Sequence, residues 1–327
     1  MTTILTDNDI SLEPILDKRV AILGYGNQGR PQALNLRDSG VNVIIGTRPD
    51  GTKRLQAEEE GFETASIGEA VRQAEVVMCL TPDEVIADVY EHSIQPHVKA
   101  GQYLGFGHGL AIHAGWVGVL PTVNVFLVAP KAQGRGVRSK YTAGTGVPAY
   151  YAVHQNPSGD TEEIALAYAK ALGCGRVAVF PTSFKEETEC DLFTEQTVLC
   201  GGLTNLIKNA FEVLVEAGYS PETAYFECLY EVKLIADLLH ERGITGMRQA
   251  ISSTALFGDV SRGEQVIDAH VKENMRRVLQ QIVSGQFANE MKQEFKTGKP
   301  TIRQALEADY GHGIEQTHRR LFGYLNS

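Results

Sequence analysis

Two pairs of carboxylates open the question of chemistry. Asp191 and Glu195 are four residues apart, and so are Glu227 and Glu231. That spacing puts both members of a pair on one helix face, where like charges repel. One reading of such a pair is a plain solvated face. The neighbouring residues favour another. In the segment 221–242 the polar side carries Lys233, Asp237 and Glu241. Glu231 lies two residues from Lys233, about 200° around the helix, and points the other way. Steps of four from Glu227 and Glu231 reach Ile235, with Leu238 and Leu239 beside it. Asp191 and Glu195 lead on to Leu199 and Gly202. The carboxylates therefore continue apolar stripes. A buried carboxylate without a basic partner is expensive unless a cation neutralises it. Hard oxygen donors without Cys/His ligand spacing favour Mg²⁺ over Zn²⁺. Two pairs could bridge two ions, an arrangement that stabilises negative charge developing on substrate oxygens.

A second chemistry is written near the N-terminus. Val20-Ala21-Ile22-Leu23 precede Gly24-Tyr25-Gly26-Asn27-Gln28-Gly29, a strand followed by GxGxxG and a helix. Gly24 permits the tight turn, Gly26 lets backbone approach a pyrophosphate, and Gly29 allows helix to pack on strand. The context of an alternating α/β domain makes this a dinucleotide site. After the second strand, Arg48, Lys53 and Arg54 suit a 2′-phosphate, whereas Asp50 suits a ribose hydroxyl. The two signals conflict. His108 sits between two glycines after a strand, a placement compatible with a structural or a catalytic role.

The elements that must position these groups fall into two regions. Residues 19–23, 41–45, 75–80, 101–106, 123–128, 149–153 and 176–180 read as strands. Helices over 28–39, 53–61, 83–90 and 160–172 separate them, which implies a doubly wound parallel sheet. The pattern changes at Pro181-Thr182-Ser183. Beyond it, 3.6-residue periodicity dominates 187–217, 221–242, 247–256, 261–283, 286–296 and 301–309, with Ser220 and Pro221 starting one helix. The expected layout is a dinucleotide-binding domain over 1–182 and an all-helical domain over 183–327.

The 327 residues carry 40 acidic and 30 Lys/Arg side chains, a formal charge of −10, which argues against nucleic acid or an anionic membrane as partner. No apolar run is expected to approach a bilayer-spanning length, and the start lacks a secretory pattern, so a cytoplasmic location is expected. Cys79, Cys174, Cys190, Cys200 and Cys228 form no CxxC, and are expected to be reduced core residues.

Taken together, the glycine turn, Phe106-Gly107-His108-Gly109, Ala129-Pro130-Lys131, the run Glu186 to Gln196, Val198-Leu199-Cys200-Gly201-Gly202 and Ile251-Ser252-Ser253-Thr254-Ala255 resemble ketol-acid reductoisomerase. The likeness runs from about residue 14 past 280, and the length resembles the short form, whose single helical domain is knotted. The resemblance implies an Mg²⁺-dependent alkyl migration of 2-acetolactate or 2-aceto-2-hydroxybutyrate, coupled to reduction by a nicotinamide, in valine and isoleucine biosynthesis. It implies two ions, with Asp191 and Glu195 as ligands from one subunit and Glu227 and Glu231 from its partner in a homodimer. Ser252 then contacts substrate, Glu195 doubles as proton relay, and His108 and Lys131 line the active site. Cofactor contacts carried over are Tyr25, Gly26, Asn27, Gln28, Arg48, Asp83, Glu84, Val85, Ile86 and Gly134.

The departures matter for the cofactor. Gly51 and Lys53 stand where loop serines usually hold the 2′-phosphate; with Asp50 they lean the reading toward NADH, or use of both cofactors. Ala132-Gln133-Gly134-Arg135 replaces Gly-Pro-Gly-His, Ser253 replaces Asn, and Leu256-Phe257 replaces Glu-Tyr. Two other readings are a 3-hydroxyacid-type dehydrogenase, which needs no carboxylate constellation, and a nucleotide sensor without catalysis.

Overall fold

The structure is a computed structural model that describes residues 3–49 and 51–325. Asp50 therefore lies outside the described residues. The chain forms two compact units, Met1–Thr188 and Glu189–Ser327.

In the first unit the apolar runs become strands β1 (Arg19–Leu23), β2 (Asn42–Thr47), β3 (Glu63–Ser66), β4 (Val76–Cys79), β5 (Tyr103–Phe106), β6 (Asn124–Pro130), β7 (Ala149–Gln155) and β8 (Val179–Pro181). They build one sheet in the order β3-β2-β1-β4-β5-β6-β7-β8. The central strands β4 and β5 are buried at every position, as expected when helices cover both faces of a parallel sheet. Those helices are α1 (Glu13–Leu16), α2 (Gly29–Asp38), α3 (Thr52–Glu59), α4 (Ile67–Gln73), α5 (Asp83–Val89), α6 (Leu110–His113), α7 (Gly134–Thr142) and α8 (Thr161–Ala171).

The sheet differs from the expected one in two ways. β7 pairs antiparallel with β6, so the sheet is mostly rather than wholly parallel. β3 has no counterpart among the expected strands, because ETAS is an edge strand with one buried residue and no apolar run. The helix after it, α4, has a full capping box between Ser66 and Glu69, a signal present in the sequence.

The second unit is helical throughout its described residues. α9 (Phe184–Thr194) enters it from the first unit and is followed by a π turn at Glu195–Leu199 and by α10 (Gly201–Glu216). Then come α11 (Pro221–Tyr225), a π turn at Phe226–Tyr230, α12 (Val232–Ala250), α13 (Ser253–Val266), α14 (Ala269–Val283), α15 (Gln286–Lys296), α16 (Pro300–Gly311) and α17 (Gly313–Leu325). Ser220 caps α11 by accepting from the Thr223 N–H, with Pro221 at the first turn. A small core of Phe211, Ala224, Tyr225 and Ile314 joins α10, α11 and α17. Tyr225 shares a 2.7 Å hydrogen bond with His318, and Lys208 pairs with Asp309 at 2.6 Å.

Two expectations are corrected here. The stretch Phe184–Glu216 is long and apolar enough to cross a membrane by length and composition, and little of it is buried. Polar residues interrupt its apolar ones, so no single run stands out, although the stretch as a whole is apolar. Of the five cysteines, all free, only Cys79 and Cys174 are buried, and burial pushes both thiols up to about 12. Cys190 and Cys200 are exposed and Cys228 half-buried, because the helix faces that carry them are largely uncovered.

Candidate functional site: a nucleotide crevice and a carboxylate face

In the first unit, the predicted site residues gather at one edge of the sheet. Parallel strands end there, and the loops that leave them carry Gly24 to Gln28 after β1, Arg48 after β2, Asp83 after β4, His108 after β5 and Lys131 after β6. The strand order reverses between β1 and β4, which opens the crevice where α/β sheets bind nucleotides.

The loop geometry fits a dinucleotide. Gly24 has φ of +98°, and a Cβ there would lie 2.8 Å from the Leu80 carbonyl oxygen. A Cβ on Gly29 would lie 2.0 Å from the Gly24 oxygen, so helix and turn touch without a side chain between them. At Gly26, by contrast, nothing lies within 4 Å, which leaves the backbone open to a ligand. α2 starts at Gly29 with no side chain capping its first turn, so its N–H groups can meet a pyrophosphate. The Thr81 hydroxyl at the end of β4 is buried without a hydrogen-bond partner, a second opening for a polar ligand.

The remaining cofactor-loop residues divide by what their side chains already do. Tyr25 is buried; its hydroxyl donates to Glu60 and its ring packs edge-on against Phe62, so it offers the crevice backbone only. Burial raises its phenol well above the usual range. Gln28 Nε2 donates to the Ala132 carbonyl at 3.1 Å, tying the glycine turn to the loop before α7. Gly134 packs against that turn: a Cβ there would lie 1.5 Å from the Asn27 oxygen. Asn27 is exposed. Ile86 is buried in the core, while Asp83, Glu84 and Val85 form the first turn of α5. Around the β2 end, Arg48 and Lys53 are exposed, and Gly51 precedes α3. Arg54 pairs with Glu58 at 2.9 Å.

The densest polar contact of this unit centres on Glu187, which sequence reasoning assigned no role. Its side chain is 1% exposed. One carboxylate oxygen lies 3.0 Å from His108 Nδ1 and accepts the Gly109 N–H at 2.9 Å; the other accepts from Lys131 Nζ at 3.1 Å. Burial alone would raise this carboxyl. The hydrogen bond from His108, the charges of His108 and Lys131 and the Gly109 N–H overcome it and hold Glu187 below the usual carboxylate range. An ionised Glu187 can only accept, so His108 donates through Nδ1. β8 pairs with the first three residues of β7, level with the end of β6, and the chain enters α9 from there. That is how Glu187 reaches loops far away in sequence. The signal that could have found it was the row of fours itself: Glu187, Asp191 and Glu195 stand at equal steps.

In the second unit, Asp191 is half-buried on α9, Glu195 opens one π turn, Glu227 lies in the other and Glu231 follows it. π turns recur at functional sites. The four carboxylates were expected to be turned inward. In the chain itself Glu195, Glu227 and Glu231 are exposed, and so is the apolar surface they interrupt, Leu199 at 61% and Leu234 at 53%. Among the described residues, no three of the four gather as a metal-sized group within one chain. Their oxygen donors suit a hard divalent cation in kind; what one chain lacks is convergence. Ser252 is exposed and caps α13, its hydroxyl oxygen accepting from the Ala255 N–H at 3.2 Å.

A glycine-turn crevice at the switch point of a doubly wound sheet, with a buried carboxylate, histidine and lysine on the same edge, defines a nicotinamide-dependent oxidoreductase with a helical second domain. Comparison with known proteins narrows the class. Residues 14–178 match the acetohydroxy acid isomeroreductase NADPH-binding domain, and residues 184–325 match the ketol-acid reductoisomerase C-terminal domain. The chain belongs to the ketol-acid reductoisomerase family. It is thus an NAD(P)H-dependent oxidoreductase that isomerises and reduces small acetohydroxy acids in branched-chain amino acid biosynthesis. An NADH-preferring ketol-acid reductoisomerase from an uncultured archean is 43% identical, with 98% of each chain covered and a TM-score of 0.96. Two structures share the fold at low identity. A semialdehyde dehydrogenase NAD-binding protein from Cupriavidus necator is 20% identical, covering 80% of this chain and 99% of the other, with a TM-score of 0.58. A pyrroline-5-carboxylate reductase from Coxiella burnetii is 15% identical over 82% of this chain and 96% of the other, with a TM-score of 0.55.

Proposed function

We propose that this chain carries out the family reaction with two Mg²⁺ ions shared between two copies, and with NADH as its preferred or equal cofactor. The division at 1–182 and 183–327 then separates a cofactor domain from a metal, substrate and dimerisation domain, and the enzyme works in the cytoplasm. Asp191 and Glu195 of one copy and Glu227 and Glu231 of the other would hold the ions. One observation carries this reading: three of those carboxylates sit exposed on helix faces whose apolar residues no described residue of one chain covers.

When bound, the ions polarise the substrate carbonyl and acidify its hydroxyl, and the nicotinamide supplies hydride. The chain's own groups do the rest. Glu187 fixes the His108 ring through Nδ1 and keeps the Lys131 ammonium at the strand edge. Lys131 can neutralise a carboxylate or phosphate, and Glu195 can relay a proton. Ser252 uses its oxygen to cap α13, which leaves its hydroxyl hydrogen to donate to a substrate oxygen. Gly24, Gly26, Gly29 and the N-terminus of α2 cradle the pyrophosphate. Exposed Arg48 after β2, with Gly51 before α3 and Lys53 in its first turn, would contact the adenosine ribose. The NADH preference of the 43% identical archean enzyme supports the lean away from NADPH.

The test is cofactor oxidation with 2-acetolactate, with and without Mg²⁺, for NADH and for NADPH, alongside sedimentation. Expected are no turnover under chelator, recovery with Mg²⁺, a KM for NADH no higher than for NADPH, and a dimer or larger assembly. Full activity in chelator overturns the metal assignment. A hundredfold preference for NADPH overturns the cofactor assignment, and a fully active monomer overturns the shared site.

A further inference from the structure

We propose that Gly243 is a positioning residue: it turns the helix between the Glu227/Glu231 pair and Ser252 so that both can address one substrate. This rests on the reading of Ser252 as a substrate contact. α12 spans Val232–Ala250, and one residue inside it is not helical: Gly243, at φ 66° and ψ 178°. That region of backbone space is essentially open to glycine alone. A Cβ at Gly243 would meet nothing within 4 Å. The position therefore demands glycine for its backbone conformation and not for space.

No proline lies in α12 to explain a break, and Leu238 to Arg242 ahead of it are mostly good helix formers. Without the turn, the 21 residues from Glu231 to Ser252 would run along one axis for roughly 30 Å, several times the length of an acetohydroxy acid. A bend in that axis brings its two ends closer than a straight helix allows. Past Gly243 the chain runs helically to Ala250, extends at Ile251 and caps α13 with Ser252. The direction of that second half follows from the backbone angles of Gly243, and extended Ile251 carries it on to the Ser252 hydroxyl. Alanine at 243 would oppose the bent form and favour the straight helix.

Steady-state kinetics of the full chain, with melting curves as a folding check, test this on G243A, S252A, the double variant and I244P. Residue 244 is the first helical position after the turn, where proline is tolerated, while proline inside a straight helix is not. I244P thus keeps the bend without adding a Cβ at 243. Losing one hydrogen bond to substrate should raise the KM for 2-acetolactate about tenfold in S252A. G243A is expected to match that rise, with the double variant no worse than either single one. The KM for NADH and the Mg²⁺ activation constant should stay within about twofold of wild type, because the change acts through Ser252 alone. I244P should keep the wild-type KM for 2-acetolactate. A folded G243A with unchanged substrate KM, additive losses in the double variant, or an I244P that behaves like S252A each overturns the proposal. If G243A does not fold, I244P decides in the same two directions. An unchanged KM in S252A instead overturns the Ser252 reading beneath it; a raised KM in S252A with none in G243A overturns the role of Gly243 only.

Discussion

The two units solve the burial problem differently. In Met1–Thr188 the strands carry their apolar residues inward on both faces, and Val20, Ile22, Val76 and Leu104 are wholly buried. In Glu189–Ser327 the described core is small, and Val198, Leu199, Leu234, Ile235, Leu239 and Phe257 are exposed. Exposed apolar residues, where they cluster into one large patch, mark an interaction site. The contrast teaches where each half of the chemistry is completed. The Glu187–His108–Lys131 cluster is finished inside one chain. The four carboxylates do not gather in the described chain, and Glu195, Glu227 and Glu231 lie among its exposed residues.

This comparison can be broken or sharpened by experiment, starting with the largest expected effect. Replacing Leu199 and Leu239 by Asp puts charge on the uncovered face. We expect loss of self-association and a fall in turnover of about 100-fold or more, since a charge cannot be buried unpaired. NADH binding, followed by fluorescence, should be unchanged, because the crevice belongs to the other unit. Retained assembly and activity would break the contrast.

Glu187→Gln removes the shared acceptor of His108 and Lys131. Breaking a buried charged cluster in this way costs about 3–5 kcal/mol of stability, and loss of the group that orients His108 should lower kcat on the order of 100-fold. The loss should be the same at every protein concentration, since the cluster is complete in one chain; a concentration-dependent loss would argue otherwise.

Gly134→Ala forces a methyl toward the Asn27 oxygen, where a Cβ would sit only 1.5 Å away. Overpacking of this kind costs about 1–3 kcal/mol. The KM for NADH should rise about tenfold with little change for acetolactate. An equal rise in both would mean that the loop before α7 serves the substrate too.

The smallest effect concerns pH. Glu187 is held below its ordinary 4.5 in the folded chain. A depressed carboxyl contributes stability above its unfolded value and loses it as pH falls through the folded one. The difference in urea midpoint between wild type and Glu187→Gln should shrink as pH falls below about pH 4.5. A difference that grows toward acid would contradict the ionised assignment.

Local pattern carried much of this protein into view. A run such as Val76-Val77-Met78-Cys79 is a strand because every residue is apolar, and Gly24, Gly26 and Gly29 identify themselves by spacing after β1. The carboxylate pairs were visible too, since residue type and a step of four are properties of a short segment. β3 was not visible, because its four residues earn their place only by pairing beside β2. The antiparallel step between β6 and β7 left no mark in either strand.

What tertiary structure decided was convergence and cover. His108 and Glu187 are 79 residues apart in the chain and Lys131 and Glu187 are 56 apart, so their meeting depends on strand order and on where α9 begins. Cover is likewise global. Amphipathic periodicity says that Glu231 and Ile235 share a side of a helix, but whether that side meets a core, solvent or another chain depends on what packs there. Sequence by itself thus determined the elements, the nucleotide turn and the acidic donors. Only the folded chain decided which groups touch and which faces stay open, because those contacts join segments whose local patterns do not contain one another.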